Sequence, residues 1–304
     1  MYFNRVGSFL PLLYYYWQYS SRNGDVLKLV LLGTGTPNAE PGRSGPSVAV
    51  IAGGVPWIVD CGPGIVRRAN EACQSGISEL DPSNLSRLLI THLHSDHTAG
   101  LPDILLTPWV LERKLPLSIW GPSGTAEMAD LVSKAYSADI KERLQGLEPA
   151  NDSGHRAEVT EIDEGPIYED DNLRITAFRV NHGNLPAFGY RFDSHEKSVV
   201  VSGDTAPFQG MEEFYRDCDI LVHEVYSAAG WRNRSTEWRS YHSSVHTSAA
   251  ELAAMAGRIT PGLIVLYHQL YHGADEGALL KEFRSIYKGR VVSGKDMDVF
   301  RLDK

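Results

Sequence analysis

The chain has 304 residues, 42% hydrophobic and 22% charged, enough for one large core or two small ones. A formal net charge of −9 argues against a basic whole-protein field for capturing nucleic acid, whose affinity rests on Lys and Arg neutralising phosphates. No apolar run reaches the ~20 residues of a transmembrane helix, and Cys61, Cys73 and Cys218 lack C-x-x-C spacing, so the expectation is a cytoplasmic protein without membrane contacts or a disulfide framework.

At the N-terminus, residues 9–17 are rich in aromatics, are interrupted by Pro11, and lead into no small-residue cleavage pattern. They read as an arm over residues 1–24, docked on the body or on a second subunit of a homodimer, more than as a secretory signal. Residues 25–304 read as one catalytic domain. Strands are expected over 26–32, 47–51 and 56–59, the last ending at Asp60-Cys61-Gly62, with a helix over 65–73. A strand over 88–91 follows, and then a helix from Leu101 with Pro102 in its first turn. Residues 117–120 read as a strand, 126–144 as mostly helical, and strand pieces surround Val159 and Ile167. His155 and His195 sit in polar stretches and are expected to be exposed.

The segment after the strand at 88–91 carries His92-Leu93-His94-Ser95-Asp96-His97, three histidines and an aspartate within six residues. Imidazole and carboxylate are the ligands zinc prefers, and four such groups at a strand end would strain a core unless something bound them. In the second half, four further apolar runs lead into polar groups: Asn181-His182, Ser202-Gly203-Asp204, His223-Glu224 and Tyr267-His268. Strands that aim polar side chains into a loop-built cleft are a usual way to build an active site.

This ordered set resembles the metallo-β-lactamase fold superfamily, on the branch of the ribonuclease Z and arylsulfatase-type hydrolases. The resemblance runs from about Lys28 to Lys304. It implies an α/β (α+β) fold, a four-layer αββα sandwich of two mixed β-sheets flanked by helices, with metals at one edge. Two divalent ions, zinc or alternatively manganese, would share an activated hydroxide. His92, His94 and His182 would hold one ion, Asp96, His97 and His268 the other, and Asp204 would bridge them. Asp60 would support the ligands from behind. Redox di-iron relatives carry Glu where this chain has His94, which disfavours that role. A metal-binding scaffold without catalysis would call for a missing ligand, and all seven are present.

Asp96 would also orient the hydroxide. His223-Glu224 and His246 resemble two further family segments and are candidate catalytic residues. Glu224 beside His246 would favour an imidazolium able to protonate a leaving oxygen. His246 also precedes a helix start marked by Ser248 and Glu251, the spacing of a capping box. Between these segments Trp231-Arg232-Asn233-Arg234-Ser235-Thr236-Glu237-Trp238-Arg239-Ser240-Tyr241 interleaves three arginines with two tryptophans and a tyrosine, which suits an anionic, aromatic substrate, with Trp231, Arg232 and Arg234 the candidate contacts. Small phosphodiesters rank first, aryl sulfates second, lactones or β-lactams third. Only 21 residues separate His182 from Asp204, too few for the long arm with which many ribonucleases Z grip tRNA. With the acidic charge, this argues against tRNA as the main substrate.

Overall fold

Residues 26–195 and 197–303 are described by a computed structural model, so the aromatic arm expected over residues 1–24 lies outside the described residues. The strands β1 (Leu27–Gly33), β2 (Ser47–Ala52), β3 (Val55–Val59), β4 (Arg87–Leu89), β5 (Leu117–Gly121) and β6 (Ala157–Glu161) share one sheet. A second sheet holds β7 (Gly165–Glu169), β8 (Arg174–Arg179), β9 (Phe188–Ser194), β10 (Lys197–Val201), β11 (Ile220–Tyr226), β12 (Leu263–Leu270) and β13 (Val291–Ser293). The last strand, β14 (Val299–Leu302), returns to pair antiparallel with β1. Both sheets are mixed: β3 to β6 run parallel in the first, and β10 to β13 in the second.

Side-chain alternation explains the layering. On β1, Leu29 and Leu31 pack with Val199, Val222 and Val265 of the other sheet, whereas Val30 and Leu32 pack with Ile65, Ala69 and Ile104 on helices. On the far side, Leu221 and Ile264 meet Leu252 and Phe283, again on helices. One apolar layer between the sheets and one outside each make a four-layer αββα sandwich, because strands buried on both faces need cover on both. No helix among the described residues is long and apolar enough to cross a membrane.

Several expected elements differ in extent. The helical stretch 126–144 divides into Thr125–Ala135 and Ser137–Gln145, because Tyr136 leaves helical angles with φ −98° and ψ 13°. β11 and β12 run further than the apolar runs suggested, since pairing continues through their polar residues. β9, in which Phe188, Tyr190 and Phe192 alternate inward, and the helix Glu276–Ile286 carried signals that the apolar runs did not mark. His155 is half-buried rather than exposed, its ring 5.1 Å from that of Trp109.

One buried cation ties the first layers together. Arg113, 1% exposed, donates from Nη1 to the carbonyls of Leu85 (2.7 Å) and Ile104 (2.8 Å). From Nη2 it donates to Leu105 (2.6 Å) and Gly154 (2.7 Å). The planar fork matches four carbonyls on three chain segments, which a single ammonium cannot reach at once. Burial pulls its pKa down to about 10, so it stays charged at neutral pH. Arg113→Met should therefore cost about 3 kcal/mol or more, and Arg113→Lys part of that, because carbonyls are left buried without donors. Urea unfolding of the two variants beside the parent chain checks this.

Candidate metal centre

Strand ends place the ligands. β3 ends at Asp60, whose φ of 62° turns its carboxylate toward the end of β4. There Asp60 accepts from the Thr91 amide (2.7 Å), the Thr91 hydroxyl (2.8 Å) and Nδ1 of His97 (2.7 Å). The chain then passes through His92 and His94 into the short helix Ser95–Thr98, which carries Asp96 and His97. Asp204 follows β10 after Gly203, whose φ of 62° and close approach to the Phe188 carbonyl leave no room for a Cβ. His268 is the extra residue of a β-bulge: Glu224 pairs with Tyr267 and Val225 with Gln269, leaving His268 between them with φ 44°. The bulge re-aims its ring into the site.

Two triads result, His92/His94/His182 and Asp96/His97/His268, with Asp204 beside both. Nδ1 of His94 lies 3.0 Å from Nε2 of His92 and 3.1 Å from Nε2 of His182. Oδ2 of Asp204 lies 3.5 Å from Nε2 of His97 and 3.6 Å from Nε2 of His268, and His268 is 3.3 Å from Asp96. The outer contacts fix the tautomers. The Thr91 hydroxyl gives its one proton to Asp60, so it accepts from Nδ1 of His92 at 3.0 Å and leaves Nε2 with a lone pair. His97 donates Nδ1–H to Asp60, and His182 donates Nδ1–H to the Val245 carbonyl at 2.9 Å. Three Nε2 lone pairs therefore point inward, as metal-ligating imidazoles require. Nε2 of His97 and Oδ1 of Asp204 are buried without a hydrogen-bond partner among the described residues. Converging lone pairs and an orphaned carboxylate oxygen fit a pair of divalent cations.

Charge is unequal between the triads. Burial pushes His92 well down, and lowers His94 and His182, so these imidazoles are neutral. Burial also pushes against His97 and His268, but Asp204 with Asp60 outweighs it at His97, and Asp204 with Asp96 at His268, and both are raised. Burial works to raise Asp204, yet His268 and His97 hold it well below the usual carboxylate range.

Around this centre lies a cleft of about 650 Å³, lined by ligands, by His246 and by Arg234, Trp238, Tyr241, His242 and His272. His246 Nδ1 is 3.4 Å from Oε2 of Glu224 and 3.9 Å from Asp204. Glu224 is anchored by the amides of Thr247 (2.7 Å) and Thr205 (3.3 Å). The capping box expected at Ser248 and Glu251 is present and opens the helix Ala249–Ile259 just after His246. Burial pushes Glu224 well up, with Asp204 adding to it, and pulls His246 down to about 4, so both groups favour neutral forms.

Not every candidate residue reaches the cleft. His223 neighbours Glu224 on β11, and adjacent strand residues face opposite ways. Its ring lies 5.5 Å from that of Tyr215 on the outer side, and its Nδ1 lies 2.6 Å from the Glu224 carbonyl. Trp231 is held away, its indole donating to the Arg239 carbonyl at 3.0 Å, and Arg232 ends the short helix Ala228–Arg232 on the surface. Of the three substrate-binding candidates only Arg234 lines the cleft. Trp238 and Tyr241, from the same aromatic and basic stretch of the sequence, also line the cleft, and with His242 they share one face of the helix Thr236–Val245.

Residues 57–269 match the family model described as beta-lactamase superfamily domain. Ribonuclease Z of Mycobacterium avium (strain 104) is 35% identical over 290 residues, covering 91% of this chain and 99% of that protein. Ribonuclease Z of Mycolicibacterium gilvum (strain PYR-GCK) is 38% identical over 251 residues, covering 80% and 84%. Among solved structures, the metallo-β-lactamase fold protein YhfI from Bacillus subtilis superposes with a TM-score of 0.70 at 17% identity, covering 91% of this chain and all of that one. Human tRNase Z, short form, gives 0.65 at 20% identity, covering 90% and 98%. The chain belongs to the metallo-β-lactamase fold superfamily, in its ribonuclease Z branch, and is a metal-dependent hydrolase. These relatives overturn the expectation that tRNA is not the main substrate. Among the described residues between His182 and Asp204 the β9–β10 hairpin is the one structured element, but a missing grip does not remove a substrate.

Because a metal takes the imidazole lone pair that a proton would otherwise hold, loading zinc should release protons, and zinc affinity should climb with pH. Calorimetry in buffers of different ionisation enthalpy reads the proton count. Asp60→Asn, which removes the acceptor orienting His97, should weaken zinc binding about 10–100-fold, measured by competition with a chromogenic chelator.

Proposed function

We propose that this chain hydrolyses phosphodiester bonds in RNA using two divalent ions, zinc first and manganese as the alternative. The observation that carries this reading is the pair of three-ligand clusters sharing Asp204, set in a chain that aligns along nearly its whole length with ribonucleases Z. Restriction to small phosphodiesters rested on setting tRNA aside and is dropped with it. Two ions held in these clusters would acidify water at neutral pH and neutralise charge on the phosphate.

The chain's own groups do the rest. Asp96 accepts a hydrogen bond from the attacking water and orients it, as its partly exposed side chain permits. His246 gives the proton on Nε2 to the leaving oxygen, while its Nδ1 takes the proton that burial keeps on Oε2 of Glu224. One proton leaves each donor and each acceptor gains one, so no imidazolium accumulates in a buried place.

With zinc or manganese loaded, bis(p-nitrophenyl) phosphate and a precursor tRNA should both be cleaved, and Asp204→Ala should abolish both activities. Turnover of p-nitrophenyl sulfate, a lactone or a β-lactam with both phosphodiesters inert would overturn the reading. His246→Ala should slow RNA cleavage by about 10²–10⁴-fold and slow bis(p-nitrophenyl) phosphate far less, because nitrophenolate leaves without a proton. Equal slowing would remove the proton-donor role.

A further inference from the structure

A ladder of rings leads out of the metal centre along one helix. His246 faces His242 at 5.7 Å between centroids and 33° between planes, and His242 stacks on Trp238 at 5.5 Å and 22°. Tyr241 meets Trp238 edge-on at 5.8 Å and 83°. These residues repeat every three or four positions on Thr236–Val245, so they share a face, and each turn moves about 5.4 Å along the axis. Trp238 is 50% exposed and Tyr241 44%, both in the wall of the cleft. A large aromatic is normally tucked away, and a perpendicular pair left open beside a hydrolytic centre forms a corner. A flat ring laid on one face meets the edge of the other, the arrangement that aromatic quadrupoles favour. Above Trp238, at 5.3 Å from the ring centroid, sits the guanidinium of Arg234, the one Arg or Lys lining this cleft among the described residues.

We infer that Trp238 and Tyr241 form a stacking subsite for the nucleobase of the leaving nucleotide, with Arg234 placed for the phosphate beyond it. The inference rests on the phosphodiesterase reading, because the side of the scissile bond follows from His246. The group that protonates the leaving oxygen ends the helix whose preceding turns carry the aromatic corner, so the leaving nucleotide extends along those turns. The attacked phosphate lies over the ligands, on the opposite side of His246. Stacking on aromatics tolerates any base, so this subsite selects a nucleotide without reading its sequence.

Adenosine 5′-monophosphate carries the free 3′-hydroxyl, base and flanking phosphate of such a leaving group, and ribose 5-phosphate lacks only the base. Calorimetry on the zinc-loaded chain should show the nucleotide binding about 10–100-fold more tightly, the range that one stacked base supplies. Trp238→Ala should shrink that ratio to within about threefold, whereas Trp238→Phe should retain most of it. Equal binding of the two probes to the parent chain, or an undiminished ratio in a Trp238→Ala/Tyr241→Ala double variant, would overturn the subsite. In an oligoribonucleotide, removing the base 5′ to the scissile phosphate should raise KM with kcat little changed. A larger effect from removing the 3′ base would overturn the assignment to the leaving side. Probe binding is read without turnover, so a chain that stacks the base yet cleaves no phosphodiester would reject the activity and keep the subsite.

Discussion

The buried carboxylate of Asp60 is the point on which the site turns. It binds Thr91 through both amide and hydroxyl, which locks the end of β4 to the end of β3, and it holds Nδ1 of His97. Through the Thr91 hydroxyl it also decides which nitrogen of His92 faces the centre. One ligand of each triad thus takes its tautomer from the same side chain. An isolated carboxylate at 2% exposure would be costly, and here three donors satisfy it.

Around that anchor the protein holds an arrangement that is poor for folding and good for binding a cation. Asp204 is held well below the usual carboxylate range at depth by the two histidines beside it, while burial lowers the histidines of the neighbouring triad. Buried polar atoms without partners, Nε2 of His97 and Oδ1 of Asp204 among them, are tolerated where the sandwich around them is fully packed. The three apolar layers supply the rigidity, and the strand ends supply the aim.

The amino-acid sequence makes the ligands legible for a physical reason. His92 to His97 are contiguous, and a run of imidazoles after an apolar strand has no use in a core. His182, Asp204 and His268 sit just past apolar runs, so their strand ends mark them. What adjacent residues do is harder to read. His223 and Glu224 look like one unit in the chain, but the strand turns them to opposite faces, and only Glu224 meets His246. Trp231, Arg232 and Arg234 look like one patch until a turn between two helices parts them. Trp238 and Tyr241 lie in the stretch whose aromatics and arginines suit an aromatic anion, but which of its residues share a face shows only once the helix Thr236–Val245 is placed. The bulge at His268 left no trace in composition, since an extra residue shows only against its partner strand.

The division of ligands between the sheets has a bearing on how the chain is made. Each triad takes two residues from the segment after β4 of the first sheet and one from the second sheet, and Asp204 also belongs to the second. A growing chain that has produced only β1 to β6 therefore holds two residues of each triad and lacks Asp204. The second triad waits for His268 on β12, and the open edge of β1 waits for β14. Assembly of the clusters is in this way tied to the pairing of the second sheet, and a chain cut before β12 lacks one member of the second triad.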